Sequence, residues 1–573
     1  MVSENILSTN SSNKKLGWFL IIWFAVNVIQ AYCVELNEDE AYYWLYSQFL
    51  DFGYFDHPPM VALFIKAGDM IFKNTLGVRL VSVIASTFSI YLLWQIVKHY
   101  AVNISLFILL FSSFLLFHVY GFITTPDSPL FFFGMLFFYC YQQYAKKDGY
   151  KWAFFLSAVI AGLLYSKYHG VLILFFTILS NLKLLRRPSF WMIVVMALLF
   201  YVPHIWWQMQ HGYPSIAYHL FDRSGRPYRF AFTAEYISGQ IVIAAPLVGW
   251  YFFIAGVKLK SEDLFTRSLK FTFYGIFIFF LISTFKDRVQ AHWTLIGFLP
   301  LFILTYIYLA RMNSIPKWLT RLMIANVVLI TVARLLFILP LPFMQKIKVA
   351  CVYYGSREWA KQVKEKAGDN FVIFNQGFQV PSKYDFYNST TKAFAYDSRY
   401  YRKNQFDIWP LEDSLRGKKV YYVLPVSHGA DVMQDSFATT KGMYYGRWIE
   451  NVRLYQKVEI DVAKTSNSWK PNEIRTLELV IHNPYKDTIS FNNTNQRWKC
   501  FFEYAYLSKG EITEVISLGD ILQSIVIPPM ESKAIKVNIK APADEGKYKL
   551  IFSLRTEPFP GARNSKMITV DVR

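Results

Sequence analysis

Charge is what this chain has least of. Only 17% of its 573 residues are Asp, Glu, Lys or Arg, against about 25% in an ordinary soluble protein. Meanwhile 54% are hydrophobic and 19% aromatic. That balance excludes a disordered chain, a coiled coil and an ordinary cytosolic enzyme. Cysteine is scarce too, at four residues. Cys33 and Cys140 fall in apolar segments, and Cys351 and Cys500 in the more polar remainder, at no metal-ligand spacing. A Cys351–Cys500 disulfide is left open. No HExxH, CxxC, Walker or GxGxxG pattern is present, so ATP-driven and NAD-linked chemistry are not indicated and no nucleotide cofactor is expected.

The scarcity of charge is uneven. Residues 1–344 hold 26 Lys+Arg and 15 Asp+Glu, and residues 345–573 hold 34 and 25. The first part reads as membrane and the second as a soluble domain. The net charge of +20 is not taken as a nucleic-acid signal, because a membrane domain carries its cations in loops facing anionic lipid. No RNA- or DNA-binding motif accompanies it.

Apolar runs of roughly 17–25 residues are candidate spans. About eleven are expected: 17–34, 78–97, 103–123, 129–145, 152–166, 169–182, 190–206, 236–257, 268–285, 291–309 and 318–341. With the N-terminus inside, sixteen Lys and Arg fall in inner segments and eight in outer loops, the expected bias. An odd number of spans then places residues 342–573 outside the cytoplasm. There, residues 345–455 mix short helical and strand patterns, and residues 456–573 alternate as in a β-sandwich. The expected organisation is a polytopic α-helical membrane domain over 1–344, an α/β unit over 345–455 and a β-sandwich over 456–573.

Eleven of the fifteen acidic residues of the membrane part fall on the outer side, most of them in the loop 35–77. Acids contribute little to orientation, so topology does not explain them. The loop opens Glu35-Leu-Asn-Glu-Asp-Glu-Ala-Tyr-Tyr-Trp44. Asp39 and Tyr43 are four apart and share a face if the segment is helical, and the aromatic surroundings favour a semi-buried pocket over a solvated face. The loop continues with Asp56 and His57 before two prolines, a carboxylate beside an imidazole that could bind a metal or hold an anion. After the third span, Asp127 is the only charge between Tyr120 and Tyr144. It suits both an N-terminal helix position and an isolated functional carboxylate. Cations on the same side are Arg79, Lys167, Lys286 and Arg288, with His169 nearby; His219, in the loop 207–234, is the imidazole that could join Asp56 at a metal. Carboxylates for proton work beside cations for an anion suggest group transfer from a phosphate-linked donor.

The ordered motif set resembles the GT-C membrane glycosyltransferases, in particular the lipid A aminoarabinose transferases and the protein O-mannosyltransferases. The elements are Asp39-Glu40-Ala41-Tyr42-Tyr43, Asp56-His57-Pro58, Gly77-Val78-Arg79, Asp127-Ser128-Pro129, Lys167, and the stretch Lys286 to Pro300, over roughly residues 17–345. The resemblance implies a polyprenyl-phosphate sugar donor bound at the outer membrane face and an inverting transfer to a lipid, glycan or protein acceptor. It implies a bacterial inner-membrane protein with a periplasmic catalytic face and C-terminal domain. Asp39 matches the catalytic carboxylate, with Glu40 beside it and Asp127 as the second acid. Lys167, Lys286, Arg288, Arg79, Tyr43 and His57 are expected around the donor phosphate, although His57 stands where those relatives tend to have Lys. The aminoarabinose transferases bind zinc through an acid and a histidine at positions resembling Asp56 and His219, so a divalent metal is an expectation there. A transporter or lipid flippase is the alternative reading. It predicts charges near the bilayer midplane and inverted repeats, whereas here the charges gather at one face and no repeat is visible.

Overall fold

Apolar helices dominate the first 354 residues because long runs of Leu, Ile, Phe and Val must satisfy their backbone groups internally when water is absent. The computed structural model describes residues 2–219, 227–339, 341–348, 350–375, 377–396, 398–399, 403–426, 433–463 and 466–573. The chain divides into two units, Met1–Tyr354 and Gly355–Arg573.

The first unit contains α1 (Val2–Cys33), α2 (Glu38–Gln48), α3 (Met60–Asp69), α4 (Thr75–Val97), α5 (Ile104–Ser113), α6 (Leu115–Val119), α7 (Asp127–Lys146), α8 (Tyr150–Ser166), α9 (Gly170–Ser180), α10 (Pro188–Gln210), α11 (Pro214–Ala217), α12 (Phe230–Ala244), α13 (Gly249–Lys258), α14 (Leu264–Ser283), α15 (Leu295–Ala310) and α16 (Lys317–Ile338). Each of the eleven expected apolar segments is helical, but not each is one straight span. Among the described residues six helices are long and apolar enough to cross a membrane, or seven if α12 and α13 are one broken span bent by 92°. The remainder are shorter or less apolar.

Two of the differences have a local cause. The segment expected over 103–123 breaks at Phe114, whose extended φ/ψ of −81°/107° ends α5. The segment expected over 236–257 breaks across Ala245 to Val248, where Pro246 has no N–H to give. Asn326 of α16, fully buried, serves both breaks. Its side-chain amide donates to the Ser113 carbonyl at 2.8 Å, and its Oδ1 accepts from Leu247 N–H at 3.0 Å. One polar side chain thereby supplies partners where two helix interruptions expose backbone groups.

The core of this unit centres on α15, which is buried almost throughout, with Phe107, Phe111, Phe114 and Phe117 packed against its Phe302 side. The helices α3 and α4 approach so closely that a Cβ on Gly77 would lie 1.7 Å from the Phe72 carbonyl oxygen, and one on Gly68 would lie 2.1 Å from the Gly77 oxygen. That contact sets the start of α4, and with it the position of Arg79.

The second unit opens with α17 (Ser356–Ala367), β1 (Phe371–Asn375), α18 (Gln379–Asn388), β2 (Ala393–Tyr396), α19 (Leu411–Leu415), β3 (Val420–Leu424), β4 (Asp435–Thr439) and β5 (Gly442–Ile449). The strands form one mixed sheet ordered β2-β1-β3-β5-β4, parallel from β2 to β3 and antiparallel thereafter. Strands β6 (Glu459–Val462), β7 (Ser468–Trp469), β8 (Ile474–His482), β9 (Ile489–Ser490), β10 (Cys500–Ser508), β11 (Glu511–Ser517), β12 (Val526–Ile527), β13 (Ser532–Lys540), β14 (Gly546–Thr556) and β15 (Ile568–Val572) follow. The five-stranded sheet β11-β10-β14-β15-β7 and the three-stranded sheet β13-β8-β6 share one core that includes Trp469, Leu479, Phe502, Val537 and Phe552. Alternation in β8, with Leu477, Leu479 and Ile481 inward, is what sends one face into that core. None of the four cysteines is in a disulfide.

Candidate active site

The acidic loop after α1 folds as a helix because Asn37 caps it. The Asn37 side chain accepts from Glu40 N–H at 2.8 Å, and the Glu40 carboxylate accepts from Asn37 N–H at 3.2 Å, a reciprocal capping box. Glu38, Asp39 and Glu40 thereby occupy the first turn of α2, where the exposed N–H groups and helix dipole favour negative charge.

The three neighbours have different surroundings. Glu40 is fully buried and bound to Arg79, itself fully buried, with Nε to Oε1 at 2.7 Å and Nη2 to Oε2 at 2.5 Å. Thr124 N–H completes the set on Oε1 at 3.0 Å. The Arg79 guanidinium also donates to the carbonyls of Ala31 at 3.1 Å, Val34 at 2.6 Å and Glu35 at 3.0 Å. Its five N–H groups are all engaged. Arg79 was expected at the donor phosphate and Glu40 beside the catalytic acid. Neither is placed to touch a ligand: the pair ties the end of α1, the start of α2, the start of α4 and the segment before Asp127 into one junction. Asp39, by contrast, is exposed.

Asp127 lies in the first turn of α7, almost fully buried. Lys167, which ends α8, reaches both its oxygens, at 2.9 and 2.8 Å. Two of the three ammonium N–H groups are thus spent on Asp127. His292 adds an imidazole whose Nε2 is 3.9 Å from Asp127 Oδ2, with its side chain 39% exposed. His292 was not among the expected site residues, although it lies in the cation-rich stretch that runs from Lys286. Of that stretch, Lys286 is exposed, and Arg288 pairs through Nε with Glu235 at 2.8 Å, both side chains more than half exposed. Neither has a hydrogen bond or ion pair with Asp39 or Asp127 among the described residues.

Tyr43 stands between these acids. Desolvation by burial holds its phenol pKa well above the usual 10.0, and the charges of Asp39, Asp56 and Asp127 push it further the same way. All three carboxylates are therefore within electrostatic reach of one neutral hydroxyl. Tyr353, from the segment following α16, has a raised pKa through desolvation first and then the nearby Glu40 charge.

Asp56 is a further buried acid. Its Oδ2 accepts from the hydroxyls of Tyr42 at 3.1 Å and Tyr46 at 3.4 Å. The Asp56 backbone oxygen is 3.1 Å from His219 Nε2, and the His57 and His219 rings are 6.3 Å apart. The fold thus brings Asp56, His57 and His219 together, and His57 also meets Tyr43 with ring centroids 5.8 Å apart. Asp222, Arg223 and Arg226 of the same loop lie outside the described residues. Among the described residues no group of three His, Cys, Asp or Glu side chains converges as metal ligands, whereas a zinc site takes three or four protein ligands. No step below is routed through a metal.

Residues 56–207 match the family model described as dolichyl-phosphate-mannose-protein mannosyltransferase. ArnT from Cupriavidus metallidurans in the apo state has a similar structure, with a TM-score of 0.56 and 12% identity, covering 76% of this chain and 98% of that one. The same protein bound to undecaprenyl phosphate gives 0.55 and 13%, covering 75% and 98%. No curated protein matches the chain by sequence. The likeness shows the fold: a helical unit rich in apolar spans, similar to GT-C structures, followed by a strand-rich C-terminal domain.

Proposed function

We propose that this chain is an inverting glycosyltransferase that moves a sugar from a polyprenyl-phosphate donor to a lipid, glycan or protein acceptor on the outer face of the inner membrane, where the C-terminal domain also lies. The observation that carries the reading is the contrast among the acids of the outer loops: Asp39 exposed, Asp127 buried against Lys167, Glu40 buried against Arg79. The match of residues 56–207 to the mannosyltransferase family model supports the same reaction class.

Asp39 is the catalytic base. The acceptor hydroxyl or amine attacks the anomeric carbon as its proton passes to the Asp39 carboxylate. One C–O or C–N bond forms to the acceptor, the C–O bond to phosphate breaks, and polyprenyl phosphate leaves. A single displacement inverts the anomeric centre. Lys167 meets the departing phosphate with the N–H that Asp127 does not occupy, and Asp127 fixes where that ammonium stands. His57 meets Tyr43 ring to ring, and the exposed cations Lys286 and Arg288 are assigned to receive the anionic donor.

The test is transfer of label from a panel of radiolabelled polyprenyl-phosphate sugars to total membrane lipid and protein, wild type against Asp39→Asn. The variant is expected to bind donor and to lose turnover by about 10²-fold or more. Normal turnover in the folded variant rejects Asp39 as base. Transport of lipid without transfer by the wild type rejects the transferase reading itself.

A further inference from the structure

One arginine of the membrane unit has no part in the site around Asp127. Arg334 lies on α16, one turn before the helix ends at Ile338. Its Nε–H donates to Gln30 Oε1 at 2.6 Å, and an Nη2–H donates to Asn27 Oδ1 at 2.8 Å, both on α1. An Nη1–H donates to His118 Nδ1 on α6 at 3.0 Å. The bonding assigns the tautomer of that imidazole: Nε2 is 2.9 Å from the Ser112 carbonyl oxygen, which only accepts, so the proton sits on Nε2 and Nδ1 offers a lone pair. Trp23 lies beneath the guanidinium at 5.6 Å. Every one of these neighbours is neutral. Among the described residues no carboxylate reaches Arg334 as an ion pair.

A cation on an apolar span without a counter-charge is costly and marks a functional site more often than not. Simple snorkelling to water does not describe it, because the side chain is half-buried and held at three points. Three of five N–H groups are used, leaving one on each terminal nitrogen. Around it, Ile29 and Tyr32 of α1 and Val332 and Leu335 of α16 are exposed and apolar. The cation therefore sits in an otherwise lipid-facing surface, about 6 Å from the ends of both helices by helical rise. Two donors on one planar fork are what bidentate recognition of a phosphate needs, and Arg supplies them where Lys does not.

We infer that Arg334, held in place by Asn27, Gln30 and His118, binds the phosphate of an anionic phospholipid headgroup at a site separate from Asp127 and Lys167. The full chain is reconstituted in nanodiscs of phosphatidylcholine with and without phosphatidylglycerol, and retained lipids are counted by native mass spectrometry. The wild type and Lys167→Met are expected to retain phosphatidylglycerol preferentially, and Arg334→Gln to lose that preference by about tenfold or more. Equal retention by folded Arg334→Gln overturns the proposal. Displacement of the lipid by millimolar inorganic phosphate overturns the lipid assignment in favour of a free-anion site. If Arg334→Gln does not fold, a photoactivatable phosphatidylglycerol carrying its label at the headgroup decides the matter in the wild type. Crosslinks to α1 and α16 near Arg334 support the site, and crosslinks confined to other segments overturn it.

Discussion

Replacing Arg79 by Leu tests whether Glu40 is a structural acid or a reacting one. The Glu40 carboxylate has four neighbours, and two of them are the Arg79 contacts at 2.7 and 2.5 Å. Removing the guanidinium leaves a fully buried carboxylate with only the N–H groups of Asn37 and Thr124, and leaves three carbonyls at the end of α1 without their donor. Breaking a buried pair from one side costs about 3–5 kcal/mol. Glu40→Leu strands the arginine in the same way and is expected to cost a similar amount. The double variant Arg79→Leu/Glu40→Leu removes both charges from the apolar interior, so its loss should fall short of the sum of the singles by about 2 kcal/mol or more. The readout is the thermal midpoint of the detergent-solubilised full chain. The expected order is wild type highest, both singles lowest, and the double variant well above what additivity gives. Additive losses refute the pairing. A Glu40→Gln variant with an unchanged midpoint and no turnover refutes the structural assignment and makes Glu40 part of the chemistry.

Lys167→Met is expected to weaken donor binding by about tenfold or more, the worth of a charge-assisted hydrogen bond, and to destabilise the chain by leaving Asp127 buried without its cation; donor titration and a thermal midpoint check the two effects. Gly77→Ala forces a Cβ into the Phe72 carbonyl and should cost about 1–3 kcal/mol, read as a lower midpoint; an unchanged midpoint shows that α3 and α4 do not pack as described. Tyr43 gives a pH prediction. Its folded pKa lies above the unfolded value of 10.0, so its contribution is complete below that value and is lost as the pH rises above it, where the unfolded chain sheds the proton first. Tyr43→Phe should therefore flatten the alkaline fall in stability by up to about 1.4 kcal/mol per pH unit, and identical slopes above pH 10 reject the buried, neutral phenol.

The helical membrane part is visible in the sequence because apolar runs record burial in lipid or protein without reference to partners. What hydropathy does not record is whether a helix continues. Phe114 is as apolar as its neighbours, and at the break Asn326, from elsewhere in the chain, and His118, six residues on, reach the freed carbonyls of Ser113 and Ser112. Pro246 was in plain view, yet the bend it permits rests on the same Asn326. The acids and cations of the outer face are likewise legible as types, and their pairing is not. Lys167 meets Asp127 across 40 residues and Arg79 meets Glu40 across 39. Nothing in either local sequence distinguishes the cation that pairs with Asp127 from the one that pairs with Glu40. His292 went unselected because an isolated imidazole beside Trp293 has no spacing signal.

Those pairings bear on the proposal that Asp39, the exposed acid of the group, is the base. A general base must be reached by the acceptor and must change its charge during each turnover. Glu40 cannot do so without destabilising the junction it holds, since protonating it would leave the five-bond Arg79 charge buried and half-compensated. Asp127 is constrained by Lys167 in the same way. Asp56 is turned toward two tyrosine hydroxyls. Asp39 shares the helical turn that Glu40 anchors, so its backbone is fixed, while its own carboxylate stays exposed. The buried pair and the proposed base are thus two parts of one arrangement: Arg79 and Glu40 anchor the turn that carries the exposed Asp39, whose charge reaches Tyr43.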